Sequence, residues 1–234
     1  MAIILVLKPS PGVAIGLAIL VACPPAPLML KTATHLGKGS AAFMASIHLS
    51  FAALAFLTVP AVLYVISQPL GFYADVDLGN LLWTLGRTIL IPVGLGLILR
   101  GVAPAFADRI VPILTRVGTI GLLITIIVVL AVLVSTILKM DAWSYLVIAT
   151  VCVTAVLIGH LLGPVDPSEK TVLAVECGTR HPVLAFAIVT MNFTAARALP
   201  VMGPIILTFI IIAVIYMALR GKRTSSGELA SSVS

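Results

Sequence analysis

Charged side chains are scarce in this sequence: Asp, Glu, Lys and Arg make up only 9% of its 234 residues. A soluble globular protein carries about 25% charged residues, so this chain could not cover a water-facing surface of its size. The shortage excludes a soluble enzyme, a nucleic-acid-binding protein and a disordered protein. Hydrophobic residues reach 61% instead, and the mean hydropathy is +1.23. This composition is that of a polytopic membrane protein.

Cysteine and catalytic motifs are also lacking. The chain has three cysteines, and Cys23, Cys152 and Cys177 lie in apolar stretches without CxxC spacing, so they predict neither a disulfide framework nor a metal site. There is no HExxH or GxSxG segment and no second intramembrane carboxylate to pair with Glu176. We therefore expect no enzyme activity, no metal centre and no cofactor.

Long apolar runs are what the chain has in abundance. A helical crossing of the hydrocarbon core takes ~20 apolar residues, so the length allows about seven crossings with short loops. We expect an all-α transmembrane domain over residues 1–219. The basic, Ser-rich residues 220–234 predict a disordered cytoplasmic tail.

The distribution of Lys and Arg predicts the orientation. Placing the tail in the cytoplasm also places most other loop cations there, as the positive-inside rule requires. The cytoplasmic set is Lys38, Arg100, Arg109, Lys170, Arg220, Lys222 and Arg223, against Lys8, Lys139 and Arg197 outside. We expect a multi-pass protein of the plasma or inner membrane with a cytoplasmic C-terminus, in contact with the lipid bilayer and with no nucleic acid.

Two predicted crossings are interrupted, by Cys-Pro-Pro-Ala-Pro at 23–27 and by Glu-Cys-Gly-Thr-Arg-His-Pro at 176–182. Irregular backbone at membrane depth survives only against protein or water. Two Pro/Gly-interrupted segments, one in each half of a chain, indicate the midplane site of a secondary transporter. A plain proline kink is the alternative at the first break. The residues expected to break the helices are Cys23, Pro24, Pro25, Pro27, Gly178 and Pro182.

Charge lies beside the second break, where Glu176 and Arg180 are four residues apart and His181 follows. An ionised residue at mid-bilayer costs about 2.5–3.5 kcal/mol on insertion scales, which favours a function. The alternative is that Glu176 and Arg180 only neutralise each other. His48 and His160, alone in apolar spans, are either proton relays or packed core histidines.

A basic helix face follows the first break. Lys31, His35 and Lys38 recur at helical spacing. The face is either a solvated cytoplasmic helix end or a basic wall that meets Glu176 or an anionic substrate.

At these breaks the sequence resembles the bile acid:sodium symporter family and its bacterial relatives. Segment 11–24 is similar to the family's fourth helix, 36–39 (Leu-Gly-Lys-Gly) to the approach to its fifth, 92–100 to its sixth, and 176–181 (Glu-Cys-Gly-Thr-Arg-His) to the crossing of its ninth. The order and spacing agree over nearly the whole chain. The resemblance implies helices four to ten of a ten-helix fold of two inverted repeats, with core-type helices over 11–66 and 142–219 and panel-type helices over 81–138.

The resemblance also implies that the first helices of the fold are missing. Either the sequence is a fragment or has a mis-assigned start, which we favour, or a partner chain supplies the missing helices in trans.

At the positions of the family's ion-site residues, this sequence differs from the residues that the family has. Met29, Leu30, Met44 and His48 stand where the family has Ser, Asn, Ser and Thr, Arg180 replaces a Gln, and Glu176 is kept. Hard cations prefer oxygen ligands, so we expect sodium coupling to be lost and Arg180 to supply the positive charge beside Glu176. A uniporter or a proton-linked carrier would result, with Na⁺ or H⁺ as the candidate coupling ions. The residues expected to contact substrate or ion are Glu176, Arg180, His181, Thr179, Met29, Leu30 and His48.

The leading interpretation is thus a secondary transporter of a small organic anion that works by alternating access around two broken helices. The runner-up is a membrane sensor or assembly subunit that keeps the fold and moves nothing.

Overall fold

The computed structural model describes residues 2–25, 41–70, 78–192 and 195–231. These ranges consist of helices joined by short connections and contain no strand. The prediction of an all-α polytopic membrane protein is confirmed. Pro27, Met29, Leu30, Lys31, His35 and Lys38 lie outside the described residues.

The helices follow the apolar runs closely. In chain order they are α1 (Ala2–Leu7), α2 (Pro11–Ala22), α3 (Ala41–Leu70), α4 (Leu78–Leu85), a π-helix (Gly86–Leu90), α5 (Ile91–Val102), α6 (Pro104–Lys139), α7 (Ala142–Leu162), α8 (Pro167–Gly178), α9 (Pro182–Asn192) and α10 (Ala195–Ser231).

Within the described ranges, five stretches are long and apolar enough to cross a membrane: Phe43–Val65, Gly79–Val102, Ala142–Leu162, Pro167–Thr190 and Ala198–Arg220. The fourth contains the second break and joins α8 to α9. Helix α6 has 36 residues, more than the ~20 that a crossing needs, and α2 is a shorter apolar helix. The chain is therefore a multi-pass membrane protein, and the expected total of seven crossings stays a prediction.

Capping residues set two of the helix starts. The Asp141 carboxylate accepts hydrogen bonds from the backbone N–H and the hydroxyl of Ser144, both at 2.8 Å. At the start of α8, Asp166 accepts from the N–H groups of Ser168 at 2.8 Å and Glu169 at 3.0 Å. These side chains satisfy N–H groups that have no partner inside the helix.

The C-terminal segment differs from the expected disordered tail. Helix α10 continues to Ser231, well beyond residue 220. Adding a residue to an existing helix gains one hydrogen bond for each residue fixed, so the long preceding helix favours this extension despite the polar sequence. The expected cytoplasmic side of this segment stays a prediction.

Helix α2 lies at the centre of the bundle. Every residue from Val13 to Leu20 is buried, and α2 packs against α3, α9 and α10. Gly16 permits the close approach to α10, because a Cβ there would lie 2.9 Å from Ile205 Cδ1. Helix α2 therefore delivers the first break into the protein interior.

Helices α7 and α8 pack as a close antiparallel pair at glycine positions. A Cβ on Gly159 would lie 2.7 Å from the carbonyl oxygen of Leu173, and one on Gly178 would lie 2.3 Å from Val156 Cγ2. Small residues let membrane helices approach so closely. This packing positions the end of α8, and hence the second break, against the core.

The helix pair α4–α5 contributes fewer residues to the interior. Leu81, Leu85 and Ile89 insert into the core, whereas α5 buries none of its residues. The exposed aliphatic side chains of α5 suit a lipid environment. The grouping of helices into core and panel types stays a prediction.

Candidate functional site

The first break begins where α2 ends at Ala22. Cys23 is extended, with φ −69° and ψ 147°, and its N–H bonds to the carbonyls of Ile19 and Leu20. Proline disfavours helical backbone in the residue before it, and two prolines follow Cys23. The helix therefore stops inside the bundle, with Cys23 and Pro24 both buried.

The second break lies between α8 and α9. Thr179 is extended and buried, and its hydroxyl donates to the Val175 carbonyl at 2.9 Å. His181 caps the next helix: its Nδ1 accepts from the N–H of Leu184 at 3.2 Å and its carbonyl from the N–H of Ala185 at 3.1 Å. Pro182, which has no N–H, opens α9 at the position where proline is best tolerated.

The two breaks are in direct contact. The backbone N–H of His181 donates to the carbonyl of Pro24 at 2.8 Å. Each break thereby satisfies a polar group of the other, as backbone at membrane depth requires. The structure thus brings together the two interruptions that the sequence analysis singled out.

Glu176 is buried beside this contact, with 1% of its surface exposed. Its Oε2 lies 3.3 Å from Nδ1 of His48 on α3. An ionised carboxylate can only accept, so the contact needs one proton, on either the imidazole or the carboxyl. His48 is 16% exposed and lies between Glu176 and the cavity described below.

Arg180 takes a different place from the one its spacing suggested. Its Nε is buried and has no hydrogen-bond partner among the described residues. Its guanidinium lies near the thiols of Cys177, Cys23 and Cys152 and near the Glu176 carboxylate. The side-chain contact that the structure shows for Glu176 is made by His48.

A cavity of about 240 Å³ opens at the crossing. Its lining includes Pro24, His48 and His181 from the breaks and α3, and Thr88, Ile89 and Pro92 from the π-helix and the start of α5. Ligand pockets usually hold about 300–1,000 Å³, so this volume suits a small metabolite.

The π-helix at Gly86–Leu90 is the part of the site that sequence reasoning missed. The panel-type helices expected over 81–138 included no irregular turn, yet the N–H of Ile91 bonds to the carbonyl of Gly86, five residues back. The available signal was Pro92, which lacks the N–H that the next carbonyl would need. Single π turns occur frequently at functional sites, and this one lines the cavity.

Other candidate residues lie apart from the cavity. His160 on α7 contacts the hydroxyl of Tyr216 at 2.7 Å and does not line it. Met44 is buried in an apolar cluster with Val172, Val175 and Met217. The positions of Met29, Leu30 and the basic face cannot be compared with the cavity, since they fall outside the described residues.

Sequence comparisons relate this chain to known membrane transporters. The model of the sodium bile acid symporter family matches residues 1–140. A probable sodium/metabolite cotransporter, chloroplastic, of Oryza sativa subsp. japonica is 26% identical over 227 residues, which is 94% of this chain and 51% of the relative. The chain thus spans about half the length of the curated relative that it matches.

Proposed function

We propose, since this chain belongs to the sodium bile acid symporter family, that it is a secondary transporter of a small organic anion. The anion would occupy the cavity at the crossing and be carried by alternating access around the two broken helices. The single observation that carries the proposal is the contact between the breaks, His181 N–H to Pro24 O at 2.8 Å, beside a cavity lined by both.

The chemistry of His181 favours an anion. Its Nδ1 accepts from Leu184 N–H, so the neutral ring carries its proton on Nε2. Nε2–H is then a donor on a residue that lines the cavity. The same residue caps the N-terminus of α9, where the positive end of the helix dipole favours negative charge. A carboxylate is the common biological group that suits both features.

Sodium coupling does not suit the residues present. Met44 stands where the family has a sodium-binding hydroxyl, and it is 2% exposed in an apolar cluster. His48 stands at the other hydroxyl position and contacts Glu176 with a nitrogen. Na⁺ is a hard cation that prefers oxygen ligands. We therefore propose that transport is independent of sodium.

Two groups near Glu176 can replace the positive charge of the sodium ion. Arg180 and the His48 ring both lie within electrostatic range of the buried Glu176 carboxylate. A fixed cation or a bound proton would then offset the negative charge that sodium offsets in the family. The result would be a uniporter or a proton-linked carrier.

Uptake into proteoliposomes tests the proposal. We expect the purified protein to accumulate labelled small carboxylates, with or without a sodium gradient, and the variant Glu176→Gln to lose this flux. Strict dependence on sodium would contradict the loss of sodium coupling. Flux that is unchanged in Glu176→Gln would make Glu176 a structural residue.

A sensor or assembly subunit is the alternative outcome of the same experiment. Such a protein would bind an organic anion, or a partner chain, without moving solute. Absence of flux for every carboxylate tested, in vesicles where the protein is correctly folded, would reject the transporter and favour this alternative. A cytoplasmic C-terminus in a plasma or inner membrane stays part of the proposal.

A further inference from the structure

Two residues that line the cavity, His181 and Thr88, differ in whether they donate or accept a hydrogen bond. On the side of the breaks, His181 offers the Nε2–H donor assigned above from its contact with Leu184. On the side of the π-helix, the polar side chain that lines the cavity is Thr88. Whether the Thr88 hydroxyl donates or accepts a hydrogen bond therefore determines which substituent on a bound anion fits the cavity.

Thr88 acts as an acceptor towards the cavity. Its hydroxyl proton is committed, because Oγ1 donates to the Thr84 carbonyl at 2.6 Å. A hydroxyl oxygen with its proton engaged still has lone pairs that accept. The side chain can therefore receive a hydrogen bond from a ligand but has no proton to give.

The π turn adds to this acceptor character. Pro92 has no N–H, so it cannot donate to a carbonyl in the turn before it. A donor on the ligand can take that place beside Thr88.

A neutral donor fits this wall better than a cation. Among the described residues that line the cavity, none is Asp or Glu, and Arg87 lies on the same π-helix as Thr88. An ammonium group placed here would lose its hydration without gaining an opposite charge. A hydroxyl group is the donor that the wall accommodates.

We infer that the transported anion is a small hydroxy acid, with its carboxylate at His181 and its hydroxyl donated to Thr88. This inference rests on the proposed function and adds the substrate class to it. Thr88 is then the specificity-determining residue. The cavity of about 240 Å³ restricts the substrate to short acids, for which we take three to six carbons as the range to examine.

A competition experiment tests the inference. Proteoliposomes receive an equimolar mixture of hydroxy, oxo and unsubstituted monocarboxylates with matched carbon skeletons, such as 2-hydroxyisovalerate, 2-oxoisovalerate and isovalerate, and the internal acids are quantified by mass spectrometry. We expect the hydroxy acids to be enriched. One net hydrogen bond contributes about 0.5–1.5 kcal/mol, which is roughly a 2- to 10-fold preference.

Two variants assign the preference to Thr88. Thr88→Val removes the acceptor at nearly constant volume, so uptake of hydroxy acids should fall to the level of the unsubstituted acids, whose uptake stays the same. Thr88→Ser should keep the preference. The matched control is Thr119→Val on α6, where an exposed threonine makes the same type of bond to the carbonyl four residues earlier, at 2.7 Å, away from the cavity.

The outcomes separate the two proposals. Equal uptake of all three acid classes, or a preference that survives Thr88→Val, overturns the inference about hydroxy acids and leaves the transporter intact. No uptake of any acid overturns the transporter and the inference with it.

Discussion

The backbone N–H of His181 donates to the carbonyl of Pro24 at 2.8 Å, which joins two helix breaks far apart in the sequence. Neither group has a partner within its own helix, because α2 has ended and α9 has not yet begun. A buried unsatisfied polar group costs about 1–3 kcal/mol, so neither break can move freely without the other. The crossing is therefore a mechanically coupled unit rather than two independent kinks.

The close contact of Gly178 with α7 predicts a strong effect of a single methyl group. In Gly178→Ala the new Cβ would lie 2.3 Å from Val156 Cγ2, and we expect a loss of about 1–3 kcal/mol from overpacking. The apparent Tm in detergent should fall, and Val156→Ala should restore part of it. Gly94→Ala, where the new Cβ meets nothing within 4 Å, is the control. A Tm that is the same for Gly178→Ala and Gly94→Ala would show that α7 and α8 are not so closely packed.

The contact between His48 and Glu176 predicts non-additive effects on stability. His48→Leu leaves the buried carboxylate without its partner, and loss of one member of a buried pair costs on the order of 3 kcal/mol. The double variant His48→Leu, Glu176→Gln should recover much of the lost Tm, because no buried carboxylate is then left without its partner. If the double variant is as unstable as the sum of the two single variants, the side chains do not interact.

Replacing the proline after the π-helix should make this segment more stable but reduce transport. Pro92→Ala supplies the missing N–H and allows a regular α-helix through residues 86–92, so amide exchange in this segment should slow. Uptake should fall several-fold, since the cavity wall loses its present shape. Pro112→Ala in the interior of α6 is the matched control and should leave uptake unchanged. Unaltered uptake in Pro92→Ala would separate the π turn from function.

The cap at Asp141 predicts how stability changes at acid pH. Hydrogen bonds from the backbone and then the side chain of Ser144 lower the pKa of Asp141 from its ordinary value of 3.8. Because the folded pKa is depressed, the cap contributes its stability above pH 3.8 and loses it as the pH falls through the folded value. Asn is also a good N-cap but does not titrate, so Tm should depend less on pH below about 4 in Asp141→Asn than in the wild type. Parallel curves for the two proteins would contradict the assigned cap.

The helices and their interruptions could be predicted because the signals are local. Prolines at 24 and 25 and at 182 mark the breaks, and Asp141 and Asp166 mark two helix starts through contacts within three residues. Each of these signals acts over a turn or less. Local sequence is sufficient for such features.

The partner of Glu176 could not be predicted in this way. Spacing of four residues suggests that Glu176 and Arg180 share a helix face, but α8 ends at Gly178, so that geometry does not exist between them. His48 is 128 residues away in the chain and reaches Glu176 only through the packing of α3 against α8. Long-range packing also decides where the cavity lies.

The π-helix and the C-terminal helix were missed for other reasons. A single proline inside an apolar run is compatible with a kink, a π turn or a plain helix, so Pro92 alone does not distinguish them. The Ser-rich residues after 220 have weak helical preference, and the extension to Ser231 depends on the long helix that precedes them.

Disulfide trapping between the two breaks tests the central claim most directly. With the three native cysteines replaced by serine, the pair Pro24→Cys, His181→Cys should form an intramolecular disulfide under mild oxidation. A disulfide requires Cα atoms about 4.4–6.8 Å apart, which a direct backbone hydrogen bond between the two residues allows. The pair Pro24→Cys, Thr119→Cys should stay reduced. A folded protein in which the first pair never forms the bond would contradict the crossing of the two broken helices.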